Sequence, residues 1–105
     1  MLIQGQSIDD VEQAIGKYST VLLYFHAPWC GACKAIDSML ADMPALSEAT
    51  DVAVVVVDVA EQADLGVSFG VASLPYFISY RDGVLAESRS GAISTWDLRE
   101  FLEVR

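Results

Sequence analysis

The sequence is poor in the residues that build metal centres and basic surfaces. It has one histidine, two cysteines and three prolines, and only six lysines and arginines stand against fifteen aspartates and glutamates. One histidine and two cysteines fall short of the four ligands of a structural zinc site, so no metal is expected in the monomer. The formal charge of -9 opposes attraction to nucleic acid and to anionic membranes, and neither is an expected partner. No apolar run reaches the roughly 18 residues of a membrane span; Tyr18, Ser19, Thr20 and His26 bracket the longest early one. The stretch Met1 to Gln6 lacks the basic start and apolar segment of a secretory signal, which makes a cytoplasmic location the default expectation.

What is present is core-forming material. Hydrophobic residues make up 53% of 105 positions, enough for one well-formed core, and a single domain over residues 1–105 is expected. Ser7 caps a first helix whose Ile8, Val11, Ile15 and Tyr18 repeat on one face, with Asp9 and Asp10 at its positive end. Thr20 to His26 is apolar nearly throughout, as in a strand covered on both faces. A second helix carries Ile36, Met39, Leu40 and Met43 as a core stripe, with Pro44 set to kink or end it. Val52 to Val59 reads as a second buried strand, parallel to the first because a helix intervenes.

A short third helix fits Ala60 to Phe69, with Asp58 as its cap. Tyr76–Arg81 and Val84–Ser90 flank Asp82-Gly83, a dipeptide suited to a type I′ hairpin. Ser94, with Asp97 behind it and Ile93 able to staple onto Leu98, starts a last helix that runs toward Val104. The order helix, strand, helix, strand, helix, hairpin, helix predicts an α/β fold: a central mixed sheet with helices on both faces.

Both cysteines fall in Trp29-Cys30-Gly31-Ala32-Cys33-Lys34, where the first strand gives way to the second helix. Thiols at i and i+3 of a helix lie close enough to bond, so the pair is a candidate redox couple. It cannot staple a fold, because so short a loop removes little entropy from the unfolded chain. Cys30 sits where a helix start offers unpaired N–H groups and a positive dipole end, both of which stabilise a thiolate. Cys33, one turn inside, is the shielded, resolving thiol. Gly31 leaves room for a partner backbone, and Trp29 offers a flat apolar docking surface rather than core filling.

These residues resemble the thioredoxin family over nearly the whole chain. The resemblance rests on Phe25, Ala27-Pro28-Trp29-Cys30-Gly31-Ala32-Cys33-Lys34, Leu74-Pro75 before a strand, Asp82-Gly83, and Gly91 ahead of the final helix. It implies a thioredoxin fold and a protein-disulfide reductase that cycles between dithiol and disulfide. No cofactor would be bound; the redox-active group is the Cys30–Cys33 disulfide. Implied partners are protein disulfide substrates and a flavin-containing thioredoxin reductase. Leu74-Pro75 would be a cis peptide beside the active site, with Ser73 and Leu74 binding an extended substrate and Ser90, Gly91 and Ala92 lining the other side.

Three departures from the family pattern stand out. Ala32 replaces the usual proline between the glycine and second cysteine, and a less reducing couple is expected. Tyr24 occupies the place of a buried aspartate that helps move the second cysteine's proton, and Val54 that of its lysine partner. No carboxylate base is then expected beneath the site; either Tyr24 or a water would carry the relay, or resolution by Cys33 would be slow for want of an assisted deprotonation. His26 stands where an aromatic is usual and is expected to be a packed, hydrogen-bonded strand residue. Alternative readings are a disulfide oxidase or isomerase, favoured by Ala32 and Ala27-Pro28-Trp29, and a non-enzymatic binding subunit built on the same fold.

Overall fold

Two nearly unbroken apolar runs make the centre of the molecule, and the reason lies in their side-chain alternation. The computed structural model describes residues 1–43 and 51–102. Three strands come first to the sheet: β1 (Leu2–Gln4), β2 (Thr20–His26) and β3 (Val52–Asp58). In β2, Leu22 and Tyr24 point into one apolar cluster, whereas Val21, Leu23 and Phe25 point into a second on the opposite face. Val54 and Val56 of β3 join the first cluster and Val55 and Val57 the second. A strand buried on both faces has no solvent side to be polar, so its sequence does not alternate in polarity.

Helices cover both faces. The first cluster is closed by Ile36 and Leu40 of α2 (Gly31–Ala41) and by Leu98 and Phe101 of α4 (Thr95–Leu102). The second is closed by Val11 and Ala14 of α1 (Ile8–Lys17) and Leu65 of α3 (Ala63–Ser68). With β4 (Tyr76–Arg81) and β5 (Val84–Ser90) the sheet has the order β1-β3-β2-β4-β5. β2 pairs parallel to β3 and antiparallel to β4, and β4 pairs antiparallel to β5, so the sheet is mixed as expected.

Helix starts follow the capping chemistry of the sequence. Ser7 Oγ accepts from the Asp10 N–H at 3.2 Å, and the Asp10 carboxylate accepts from the Gln6 N–H at 2.9 Å. Ser94 and Asp97 make a reciprocal pair: Ser94 Oγ accepts from the Asp97 N–H at 3.1 Å, and the Asp97 carboxylate accepts from the Ser94 N–H at 3.4 Å. Each arrangement satisfies N–H groups that a helix start leaves without partners. Asp82 and Gly83 both have positive φ, 52° and 80°, the condition for a type I′ turn.

Three elements, β1, β3 and α3, depart from the sequence expectation. β1 was not foreseen: three residues at the sheet edge are too few to show a period, and only pairing with β3 at Leu2↔Val54 defines them as a strand. β3 stops at Asp58 and α3 begins only at Ala63. The Asp58 side chain accepts from the Ala60 N–H at 2.8 Å and its carbonyl accepts from Gln62, so it caps a turn ahead of the helix. α2 ends at Ala41, while Pro44 lies outside the described residues. α4 is described as far as Leu102, and Val104 also lies outside.

Candidate active site

β2 delivers the chain to the edge of the first cluster, and the tight turn Ala27–Cys30, closed by the Cys30 N–H on the Ala27 carbonyl at 3.1 Å, redirects it into α2. Cys30 is the cap of that helix, with extended backbone at φ -84° and ψ 103°. The Cys33 N–H donates to Cys30 Sγ at 3.2 Å and is also 3.2 Å from the Cys30 carbonyl oxygen. The cap role normally filled by a hydroxyl or carboxylate is thus filled by sulfur. Cys30 and Cys33 form a disulfide, their Cα atoms 5.3 Å apart.

The two sulfurs have unequal surroundings. Cys33 is 1% exposed and packs with Tyr24, Ile36 and Phe77 in the first cluster. Cys30 is 8% exposed and opens onto a cleft of about 580 Å³. Trp29, 71% exposed, stands at the rim with Gly31 and Ala32. A Cβ added to Gly31 would meet nothing within 4 Å, so the space above the helix start is open.

The far wall is formed by Val59, Gly66, Val67, Ala72, Ser73 and Leu74. Ser73 and Leu74 were singled out in the sequence; the α3 contribution was not. Its only sequence signal is Val67, apolar yet 81% exposed, which becomes informative once the helix is placed opposite Trp29. No residue of this wall carries a charge, in a chain of formal charge -9.

The Leu74–Pro75 peptide is cis, as the resemblance implied, and Pro75 is buried. Its carbonyl accepts from the Gly91 N–H at 2.9 Å, and Gly91 has φ +93°, a conformation that favours glycine. Gly91 therefore sits against Pro75, while Gly91, Ala92 and Ser90 do not line the cleft.

Below the cysteines Tyr24 meets a carboxylate that the sequence reading did not single out, Asp37. Tyr24 is fully buried, and its hydroxyl lies 3.0 Å from the Cys33 carbonyl oxygen and 2.9 Å from Asp37 Oδ1. The Asp37 carboxylate also lies 3.2 Å from His26 Nδ1. Burial, then the hydrogen bond to Asp37, then its charge push the Tyr24 phenol well above the ordinary tyrosine range, because each disfavours phenolate. The missed signal was spacing: Asp37 is four residues after Cys33 and so shares its side of α2. His26 is the packed strand residue expected, its ring tilted against Tyr24 at 5.1 Å. Among the described residues no group of three or more histidine, cysteine, aspartate or glutamate side chains is placed to hold a metal ion.

The thioredoxin family model matches residues 5–104. The chain is 28% identical over 94 residues to a thioredoxin of Mycoplasmoides gallisepticum, covering 90% of this chain and 92% of that one. It is 36% identical over 80 residues to a protein disulfide-isomerase of Gallus gallus, covering 74% of this chain but only 16% of the isomerase. Mitochondrial thioredoxin 3 of Saccharomyces cerevisiae, in its oxidized form, superposes with a TM-score of 0.80 at 25% identity, over 96% of this chain and 92% of that one. A family match across nearly every residue, on a strand-to-helix junction that bonds Cys30 to Cys33, makes this chain a member of the thioredoxin family and a thiol–disulfide oxidoreductase.

Proposed function

We propose that the chain reduces disulfides in protein substrates, with Cys30 as the attacking thiolate and Cys33 as the resolving thiol. The observation that carries this reading is the inequality of the two sulfurs. Cys30 caps α2 and opens onto a cleft, whereas Cys33 is closed into the core. In the reduced form the Cys33 N–H that now faces Cys30 Sγ, with the positive end of the helix dipole, stabilises its thiolate, and each pKa unit of such lowering is worth about 1.4 kcal/mol.

Exchange then proceeds in two displacements. The Cys30 thiolate attacks a substrate sulfur, forming a mixed disulfide and expelling the other substrate sulfur as thiolate. Cys33, losing its proton, attacks Cys30 Sγ and expels the second. Trp29, Ser73 and Leu74 hold the substrate chain along the uncharged cleft, with Gly91 and Ala92 beyond Pro75. Gly31 and Ala32 let it approach. Thioredoxins work with a redox-active disulfide and no prosthetic group. A thioredoxin reductase drawing electrons from a nicotinamide cofactor recharges the couple, and the reducing cytoplasm suits it.

The test is reduction of insulin disulfides with and without a thioredoxin reductase. Activity should depend on the reductase and vanish in Cys30→Ser. A second reading, isomerase action, has in its favour the 36% identity to a segment of the chicken isomerase. Activity that requires Cys30 but gains nothing from the reductase would select it.

A further inference from the structure

Val67 gains little from the folding of its own chain. α3 is anchored by Leu65, which is 5% exposed in the second cluster. Two residues on, and so about 200° around the helix axis, Val67 is turned away from that core and is 81% exposed. Gly66 between them lets α3 lie close on Val59: an added Cβ would come 3.2 Å from Val59 Cγ1. The position of the wall is therefore set by packing. Single exposed apolar side chains are ordinary, but Val67 lines the same cleft as Trp29, 71% exposed, and as Cys30.

We propose that the cleft selects disulfides whose cysteine is followed by an apolar side chain and, further along, by a lysine or arginine, with Val67 as the residue that reads the apolar side chain. This inference rests on the assignment of Cys30 as the attacking sulfur in protein-disulfide reduction. A substrate must bring its own sulfur to Cys30, and its next residues then lie within a few ångströms, between Trp29 and the α3 wall. An apolar side chain there is covered by Val67 and Trp29, and all three lose water. A charged one loses water without gaining a partner, because Val59, Ala63, Gly66, Val67, Val71 and Ala72 carry no charge. Selection thus works by exclusion as well as by contact.

The preference for a cation comes from the rim. Glu61 stands between Val59 and Ala63 in the chain and Asp64 follows Ala63, so both carboxylates border residues that line the cleft. Both are exposed, and neither forms an ion pair with a described residue. Lys34, next to Cys33 on α2, is exposed and is not among the lining residues. On a chain of formal charge -9, a substrate cation arriving at the α3 edge meets negative charge that nothing nearby offsets. Rim attraction of this kind raises the rate of capture and weakens with salt.

The experiment uses the reduced full chain and symmetrical disulfides of short peptides, blocked at both ends, in which the cysteine is followed by leucine or by serine. Each reaction passes two electrons to the peptide pair, breaks its S–S bond into two thiols and leaves the Cys30–Cys33 disulfide. The released peptide thiol is measured by chromatography. The leucine peptide should react about tenfold faster than the serine peptide, the discrimination expected of an apolar contact. In Val67→Ser this ratio should fall to within about twofold of one, since the contact that favours leucine is gone. A ratio taken within one variant is unaffected by any change in thiol reactivity common to both peptides. A second pair carries lysine or glutamate two residues after the leucine. The lysine peptide should react faster at low salt, and its advantage should at least halve in the double variant Glu61→Gln, Asp64→Asn. A leucine-to-serine ratio near one in the unaltered chain, or one that Val67→Ser leaves unchanged, overturns selection by Val67. A lysine preference that the double variant leaves unchanged overturns the part given to the rim. If the reduced chain leaves every peptide disulfide intact, the assignment of protein-disulfide reduction fails, and this inference with it.

Discussion

Single residues decide the chemistry of this chain, and Ala32 and Tyr24 do so by what they are not. Ala32 lies in the first turn of α2, where its N–H has no carbonyl four residues back. That N–H is a further donor to the partial positive end facing Cys30, and it stabilises the thiolate of the reduced form. Ala32→Pro deletes the donor, so the reduced form is less favoured and the potential should fall by tens of millivolts, roughly 30 mV per 1.4 kcal/mol. Equilibration with glutathione measures it. A starting value already at about -270 mV, characteristic of thioredoxins, would show that Ala32 has no such effect.

Tyr24 makes a prediction about alkali. In the unfolded chain its phenol ionises near 10, whereas in the fold it stays protonated well above that. The folded chain then binds more protons, so the contribution is intact below pH 10 and is lost as pH rises beyond it. Urea unfolding between pH 8 and 11 should show stability declining toward the upper end. Tyr24→Phe should flatten that decline, leaving the smaller part due to Tyr80, whose phenol is also raised by burial.

At the scale of elements, the starts of α1 and α4 and the hairpin were legible because their signals are local. Ser7 with Asp10, Ser94 with Asp97, and Asp82-Gly83 each act through atoms within a few residues of one another. β1 was illegible because its partner lies about fifty residues away. Gly5 reveals how closely that edge is fitted: its N–H donates to the Val56 carbonyl at 2.8 Å. A Cβ there would sit 2.8 Å from Val55 Cγ1 and 3.0 Å from Val57 Cγ2. Both are branched side chains on a buried strand with little room to turn. Gly5→Ala should therefore cost about 1–3 kcal/mol of stability, read as a lowered urea midpoint.

The whole molecule divides its labour between two core layers. The cluster of Leu22, Tyr24, Cys33, Phe77 and Leu98 backs the active site, whereas that of Val11, Leu23, Phe25, Val55 and Leu65 lies across the sheet. Leu23→Ala empties space in the second layer and should cost about 2–5 kcal/mol. Insulin reduction per folded molecule, measured well below the melting temperature, should stay close to that of the unaltered chain. A collapse of specific activity at full folding would show that the layers are coupled through the sheet.

What the sequence by itself determined is everything carried by short-range chemistry. That includes the paired cysteines at a strand-to-helix junction, the capped helix starts, the positive-φ turn, and two strands apolar enough to need cover on both faces. Only the tertiary structure decided which distant residues meet there. It brought α3 opposite Trp29 to complete an uncharged cleft, set Gly91 against Pro75, and closed Asp37 and His26 around the Tyr24 hydroxyl. Such meetings depend on how helices settle on a twisted sheet, which is fixed by the packing of the whole core and leaves no periodic trace along the chain.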